Sequence, residues 1–147
     1  MVNNVQLSKK KYAEIDRLSQ DGNAFMDGEN LEAAIKKWNE ALDLLPTPKS
    51  DWEAFMWLSA SIGDAHFQQK SYTLALASFQ DALNAPGGIE NPFIHYRLGQ
   101  CQLALDNLEP AIESLLKSYM LDGGHIFKAE DGGLELLKLL EHKKLIN

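Results

Sequence analysis

The feature that most constrains this fold is a set of three small residues, spaced by 12 and then 7 positions, that occurs three times along the chain. The sets are Gly22, Ala34 and Ala41, then Gly63, Ala75 and Ala82, and finally Gly99, Ala111 and Ser118. A large apolar residue follows each middle member by four positions: Trp38, Phe79 and Leu115. Self-similarity at nearly fixed spacing is typical of stacked-repeat proteins, which commonly present a surface to partners.

Helical periodicity runs through the whole sequence. Apolar residues recur at steps of three and four, as in the stretch from Ala34 to Leu45, which is the pattern of an amphipathic helix. No segment shows the period-two alternation of a half-buried strand. Turn signals such as Pro46 divide the chain into seven helices, the last extending from Leu134 to Ile146. We therefore predict an all-α protein of three helical hairpins and one closing helix.

Helix packing explains why small residues occur at these positions. Where two helices cross, a side chain no larger than that of alanine lets their axes approach to about 8 Å. We expect the large residue of each set to fill the groove of the next hairpin. Ser50 and Glu53 have the spacing of a capping box, which predicts that the third helix begins near Asp51.

The pattern resembles the tetratricopeptide repeat, whose glycine, two alanines and terminal proline fall at these offsets. The matching residues are Gly22, Phe25, Ala34, Ala41 and Pro46, then Gly63, Tyr72, Ala75, Phe79 and Ala82, and finally Leu98, Gly99, Ala111 and Leu115. Ser118 departs from the pattern. The resemblance implies a right-handed α-solenoid forming a single domain over residues 1–147. Its repeats would span about 15–49, 50–90 and 91–124, with a capping helix over about 132–146.

The distances between repeats exceed those of that family. Consecutive glycines of the sets lie 41 and 36 residues apart, whereas the family repeat has about 34 residues. The first excess is close to two helical turns, so we expect a longer third helix that carries Trp52, Phe55 and Trp57. The second excess is expected to be loop, from Gly87 to Asn91.

Charge and composition narrow the partner class. The net charge is −7, and residues 51–124 hold nine acidic but only three basic side chains. Such a centre repels nucleic acid and attracts a basic partner. No apolar run is long enough to cross a membrane, and the N-terminus lacks the apolar core of a secretory signal. With Cys101 as its single cysteine, the chain is expected to be cytoplasmic.

In the tetratricopeptide-repeat family, the first helix of each hairpin lines a concave groove. Carrying that helix phase over to this sequence implies a partner-binding set in which aromatic rings offer contact area and Asp16, Asp27 and Asp64 receive basic side chains. For each aromatic residue, a role in the core between repeats is the alternative. The predicted set is Asp16, Asn23, Asp27, Trp57, Asp64, Phe67, Phe93, Tyr96, Arg97 and Gln100.

Some members of the family bind the C-terminal carboxylate of chaperones with five basic and amide residues of this groove. The corresponding positions here are Ser19, Asn23, Ser61, Phe93 and Arg97. Only Asn23 and Arg97 keep the required chemistry, and a carboxylate needs several donors to offset its desolvation. We therefore expect no binding of chaperone tails.

Enzymatic, metal and cofactor motifs are not evident. The chain has no phosphate-binding glycine loop and no paired cysteines. His95 and Cys101 are six residues apart, so on one helix they would point to different faces. The segment HIFKAE, between Asp122-Gly-Gly and Asp131-Gly-Gly, is expected to be turn. We expect neither catalysis nor a cofactor nor a metal.

Two functional hypotheses follow. The first is a non-enzymatic module that binds a protein or peptide in its groove. The segments NPFIHYRLGQ and SYMLDGGHIFKAED, together with the closing helix, also resemble small bacterial three-repeat proteins, some of which are taken to be immunity proteins. The second hypothesis is therefore a bacterial immunity protein that occludes a basic, nuclease-like toxin, and the acidic centre favours it. The leucine-rich closing helix either seals the last repeat or forms a homodimer surface.

Overall fold

The structure is a computed structural model, and the part it describes is residues 7–147. Within that part there are eight α-helices, one 3₁₀ helix and no strand, so the all-helical prediction is confirmed. Residues 1–6, which belong to the predicted domain and N-terminus, lie outside the described residues. The α-helices are α1 (Lys9–Asp27), α2 (Leu31–Asp43), α3 (Glu53–Gln68), α4 (Tyr72–Leu83), α5 (Pro92–Ala104), α6 (Leu108–Asp122), α7 (His125–Ala129) and α8 (Gly133–His142).

Helices α1 to α6 form three hairpins, α1–α2, α3–α4 and α5–α6, and each hairpin packs on the next through α2–α3 and α4–α5. The small residues lie where the two helices of a hairpin meet. A Cβ built on Gly22 would lie 2.6 Å from Cδ1 of Trp38, and one built on Gly99 would lie 2.6 Å from Cγ of Leu115. The large residue therefore packs on the glycine of its own hairpin. It also takes part in the packing between hairpins, since Trp38 shares a core cluster with Leu58 of α3 and Phe79 shares one with Ile94 of α5.

The turns inside the hairpins repeat with the same geometry. Glu29, Lys70 and Asp106, each seven residues after the glycine of its set, have φ of 62°, 61° and 63°. The backbone N–H of the next residue donates to a carbonyl in the last turn of the preceding helix, as from Asn30 to Phe25 at 2.8 Å. The repeat is thus preserved in the backbone even where the turn sequences differ.

The connection between α2 and α3 departs from the prediction. The 3₁₀ helix, Lys49–Asp51, lies in this linker, and α3 begins at Glu53 after Trp52, with no side-chain cap. The indole Nε1 of Trp52 donates to the carbonyl of Pro46 at 2.8 Å. At 16 residues, α3 is longer than α5 with 13 but shorter than α1 with 19. The predicted capping box and two-turn extension are wrong, since the proline-containing linker takes much of the excess.

The C-terminal end closes the stack with two helices. The segment expected to be turn forms α7, whose Phe127 is fully buried. Gly133 starts α8 directly against the backbone of Phe127, where a Cβ would overlap it. Phe127 and Leu140 share a core cluster with residues of α5 and α6. The closing unit is therefore α7 plus α8, and it packs on the third hairpin.

Candidate partner-binding face

Side chains at equivalent positions of α1, α3 and α5 form the candidate site, which we call the α1–α3–α5 face. Two positions of each first helix contribute to this face. The position six residues before the glycine of each set holds Asp16, Trp57 or Phe93. The position one residue after that glycine holds Asn23, Asp64 or Gln100. Positions seven residues apart share one side of a helix. These six side chains are exposed or partly exposed, so each first helix contributes the same stripe.

Arg97 is the centre of this face. Its side chain, only 9% exposed, donates from Nε to Oδ1 of Asp64 at 3.0 Å and from Nη1 to Oε1 of Gln100 at 2.6 Å. Its Nη2 lies 3.6 Å from Oε2 of Glu130. All three guanidinium nitrogens therefore face an acceptor within the protein, which makes Arg97 a bridge between α3, α5 and the end of α7.

Aromatic rings flank the same guanidinium. Its Cζ lies 4.6 Å from the ring centroids of both Phe67 and Phe93 and 6.0 Å from that of Tyr96. Arginine stacks well on aromatic faces, and such contacts contribute about 0.5–2 kcal/mol each, depending on desolvation. The guanidinium thereby helps to fix the orientations of the Phe67 and Phe93 rings, which are both partly exposed.

The ion pairs of Arg97 determine the net charge at the centre of the α1–α3–α5 face. Arg97 is matched by two carboxylates, those of Asp64 and Glu130, so the cluster is net negative. Asp64 was expected to receive a basic side chain of a partner, and here one of its oxygens already accepts from Arg97. A partner's carboxylate would meet a guanidinium whose nitrogens are engaged and two acidic neighbours.

Tyr96 does not lie on the open surface. It is fully buried, and its ring packs edge-to-face on Phe127, with centroids 5.0 Å apart. Burial raises the pKa of its hydroxyl, and the nearby Glu130 carboxylate raises it further. The expectation that Tyr96 presents stacking area to a partner is wrong for this structure, because α7 covers the ring. The alternative prediction, that this aromatic side chain belongs to the core, is the one that fits Tyr96.

The α1 residues of the predicted set stand apart from the Arg97 cluster. Asp16, Asn23 and Asp27 are exposed, and Oδ2 of Asp16 accepts from the Gln20 amide at 2.8 Å. Trp57 is partly buried and packs against the core of the first hairpin and α3. The structure thus brings together Asp64, Phe67, Phe93, Arg97 and Gln100, and places the other accessible members along the same face.

Glu130 is the member that the sequence did not reveal. It follows α7 directly and pairs with a guanidinium 33 positions earlier in the chain. Only the placement of α7 against α5 brings it there. The glycine pairs on both sides of α7 are typical of turns, so the sequence does not indicate this short helix. No local pattern indicates that the carboxylate of Glu130 belongs to the face.

The remaining reactive groups are enclosed or isolated. Burial raises the pKa of the Cys101 thiol to about 11, so it stays protonated at neutral pH. Burial lowers the pKa of His66, whose Nδ1 has no hydrogen-bond partner. Across residues 7–147, no three His, Cys, Asp or Glu side chains are placed to hold a metal ion. No helix in that range combines the length and apolar character needed to cross a membrane.

A model of the tetratricopeptide repeat matches residues 94–125, which cover most of α5, all of α6 and the first residue of α7. Solved structures extend this likeness over nearly the whole chain. The C-terminal TPR-containing domain of a putative FK506-binding protein of Plasmodium falciparum superposes with a TM-score of 0.73. The two are 21% identical, over 96% of this chain and 97% of that one. No match to a curated protein is significant.

Two further structures give the same fold. The first TPR of Spaghetti (RPAP3), bound to the HSP90 peptide SRMEEVD, has a TM-score of 0.69 and 16% identity, over 91% of this chain and 95% of that one. The Arabidopsis OM64 TPR domain has a TM-score of 0.70 and 14% identity, over 90% and 98%. At these identities the likeness shows the fold alone, an α-solenoid of three hairpins.

Proposed function

We propose that this chain, a tetratricopeptide-repeat protein, is a non-enzymatic interaction module that binds a protein or peptide partner through its α1–α3–α5 face. The observation that carries the proposal is the Arg97 cluster. In this cluster the guanidinium of Arg97 contacts Phe67 and Phe93 and pairs with Asp64 and Glu130, and the two rings and the two carboxylates all stay partly exposed. A surface whose side chains are already ordered loses less conformational entropy when a partner binds.

The charges of the face select a basic partner. Asp16, Asp27, Asp64 and Glu130 contribute four carboxylates, and Arg97 is the cation paired within them. Complementary charge speeds association and disfavours wrong partners. Aromatic side chains then supply the contact area that most often dominates binding energy. We infer a segment that alternates lysine or arginine with apolar side chains.

The negative charge of the α1–α3–α5 face also disfavours binding of acidic peptide tails. The peptide bound by the Spaghetti domain, SRMEEVD, carries two glutamates and an aspartate. In this chain Arg97 is engaged by Asp64, Gln100 and Glu130, and the family's other basic positions are serine or phenylalanine. A fluorescently labelled SRMEEVD peptide should show no saturable anisotropy change with up to millimolar protein. Saturable binding in the micromolar range would contradict the charge argument.

The experiment that tests the proposal is affinity capture from the native cell with mass spectrometry, comparing wild-type protein with Trp57→Ala and Phe93→Ala. Hot-spot side chains contribute at least about 2 kcal/mol, or about 30-fold in affinity, so the genuine partner should be lost with either variant. Leu74→Ala, which removes an exposed apolar side chain of α4, serves as the control. An unchanged set of captured proteins would refute binding through this face.

A second candidate is an immunity protein that occludes a basic, nuclease-like toxin. It is supported by the acidic excess of residues 51–124, which includes Asp64 in the Arg97 cluster, and by Asp16 and Asp27, which are exposed on the same face. Co-expression with a toxin encoded next to this chain should restore growth, and Asp16→Lys with Asp27→Lys should weaken that rescue. Full toxicity in the presence of the wild-type chain would eliminate this candidate while leaving the interaction module intact.

Self-association through the last helix is a separate proposal. Leu140 is buried, and Leu136 and Leu137 pack against the core cluster that Leu140 shares with Phe127. Leu134 and Leu145 remain exposed and form the apolar surface available to a second copy. Light scattering at micromolar concentration should then detect a dimer that Leu134→Glu dissociates. A monomer with the wild-type sequence would remove this part of the proposal.

A further inference from the structure

We propose that a second partner site lies on the opposite side of α5, in an apolar pocket between α4 and α6 that takes a bulky apolar side chain followed closely by a basic one. The pocket has a volume of about 430 Å³, within the range of ligand pockets in proteins. Leu83, Ile89, Met120 and Leu121 form its apolar walls, with His95 and Lys117 also lining it. We call it the α4–α6 pocket.

The pocket is separate from the α1–α3–α5 face. His95 lines it, whereas Arg97, two residues later on α5, lies at the centre of that face. Two residues correspond to about 200° around an α-helix, so the two side chains leave α5 in nearly opposite directions. A ligand in the α4–α6 pocket therefore contacts none of the residues in the Arg97 cluster.

Unusual exposure of large apolar side chains marks this pocket as a docking surface. Ile89 is 66% and Met120 is 75% exposed, and they line the same cavity with the half-exposed Leu121. Single exposed apolar residues are common, but several that converge on one cavity are characteristic of interaction sites. Methionine also adapts its shape to different side chains.

The loop that presents Ile89 is fixed in place. Nε2 of the buried His95 lies 2.8 Å from the carbonyl oxygen of Ile89. The N–H groups of Gly88 and Asn91 donate to the carbonyls of Ala85 and Gly88 at 3.0 and 3.1 Å. The backbone is thus held while the Ile89 side chain points outward, so binding requires little further ordering of the loop.

The preference for a basic side chain comes from the adjoining cavity. A space of about 370 Å³ shares Leu83 and Ile89 with the α4–α6 pocket and is also lined by Asp51 and Glu90. Within residues 7–147, neither carboxylate takes part in an ion pair. A lysine or arginine one or two residues from the inserted apolar side chain would reach them, which makes the charges complementary.

The test is an NMR titration of the full chain with a defined probe, acetyl-Arg-Ala-Phe-Ala-Arg-amide, which places a basic residue on either side of phenylalanine. We expect saturable shifts of the methyl signals of Ile89, Met120 and Leu121. Replacing phenylalanine by alanine, or both arginines by glutamate, should weaken binding at least about fivefold. Equal binding of the glutamate peptide, or shifts confined to residues of the α1–α3–α5 face, would overturn the proposal.

Variants of the protein separate this pocket from the proposed function. Because the α1–α3–α5 face is also proposed to take basic and apolar side chains, affinity for the pocket is read from the methyl signals of Leu121, which lines it. Ile89→Ser and Met120→Ser should each weaken that affinity at least about fivefold, whereas Leu74→Ser, at another exposed apolar residue, should leave it unchanged. Unchanged affinity in both pocket variants would refute the site. Methyl shifts of Ile89 and Met120 that change when the protein is diluted without peptide would show that the pocket is an interface with a second copy. That result would also overturn the proposal.

Discussion

Replacing Arg97 by methionine tests whether the buried cation organises the α1–α3–α5 face. The change keeps an unbranched side chain but removes the ion pairs with Asp64 and Glu130 and the stacking on Phe67 and Phe93. Removing one partner of a fully buried pair costs about 3–5 kcal/mol. Asp64 and Glu130 remain 25% and 35% exposed, so water offsets part of the loss. We expect a loss of about 2–3 kcal/mol in the free energy of unfolding.

The chain provides its own matched control. Its other arginine, Arg17, pairs with Asp21 at 3.3 Å on the surface, where the Arg17 side chain is 65% exposed. Arg17→Met should therefore lower the free energy of unfolding by less than about 0.5 kcal/mol. Urea unfolding followed by tryptophan fluorescence measures both variants, and Arg97→Met should lower the midpoint by about 1 M or more.

A double-mutant cycle identifies the source of the loss. Combining Arg97→Met with Asp64→Asn should show a coupling energy of at least about 1 kcal/mol, since the two side chains share one network. Equal midpoints for Arg97→Met and Arg17→Met, or a coupling energy near zero, would refute the view that this ion pair holds the face together.

Three further predictions concern other parts of the molecule. Lys70→Gly should raise the free energy of unfolding by about 1 kcal/mol, because φ of 61° at Lys70 suits glycine, whereas Lys70→Ala should give no such gain in the same urea assay. Tyr96→Ala should lower the melting temperature markedly, since a buried ring is lost, whereas Trp57→Ala should affect it less; equal losses would contradict their different burial. Burial lowers the pKa of His66 in the folded state, so the stability that the neutral His66 side chain provides is present above the ordinary pKa of about 6.5 and is lost as the pH falls. His66→Phe should therefore reduce the decline in the free energy of unfolding from pH 7 to pH 5. An unchanged decline would refute this.

The hairpins could be predicted from the sequence because their determinants are local and periodic. The glycine of each set meets a large residue 16 positions later in the same hairpin, as Gly22 meets Trp38, and the spacing is visible without any structure. Helix phase alone also brought Asp64, Phe93 and Arg97 to one face. In these cases the period of the helix decides which side chains are neighbours.

The parts that could not be predicted depend on packing between distant segments. Tyr96 has the helix phase of the face, but Phe127 of α7 covers it. Helix α7 has only five residues, too few for a periodic pattern, and glycines flank it, so neither the helix nor its neighbour Glu130 was recognised. The linker before α3 could not be predicted for a related reason, since chain length alone does not distinguish helix from folded loop.

The central claim is that the α1–α3–α5 face contacts a basic partner. It is tested most directly by placing a photo-crosslinking amino acid, p-benzoylphenylalanine, at Trp57 and irradiating the native cell. We expect a crosslinked protein, rich in lysine or arginine, that is not recovered when the same group stands at Leu74 on α4. Crosslinking from Leu74 with none from Trp57, or an acidic protein captured at Trp57, would contradict it.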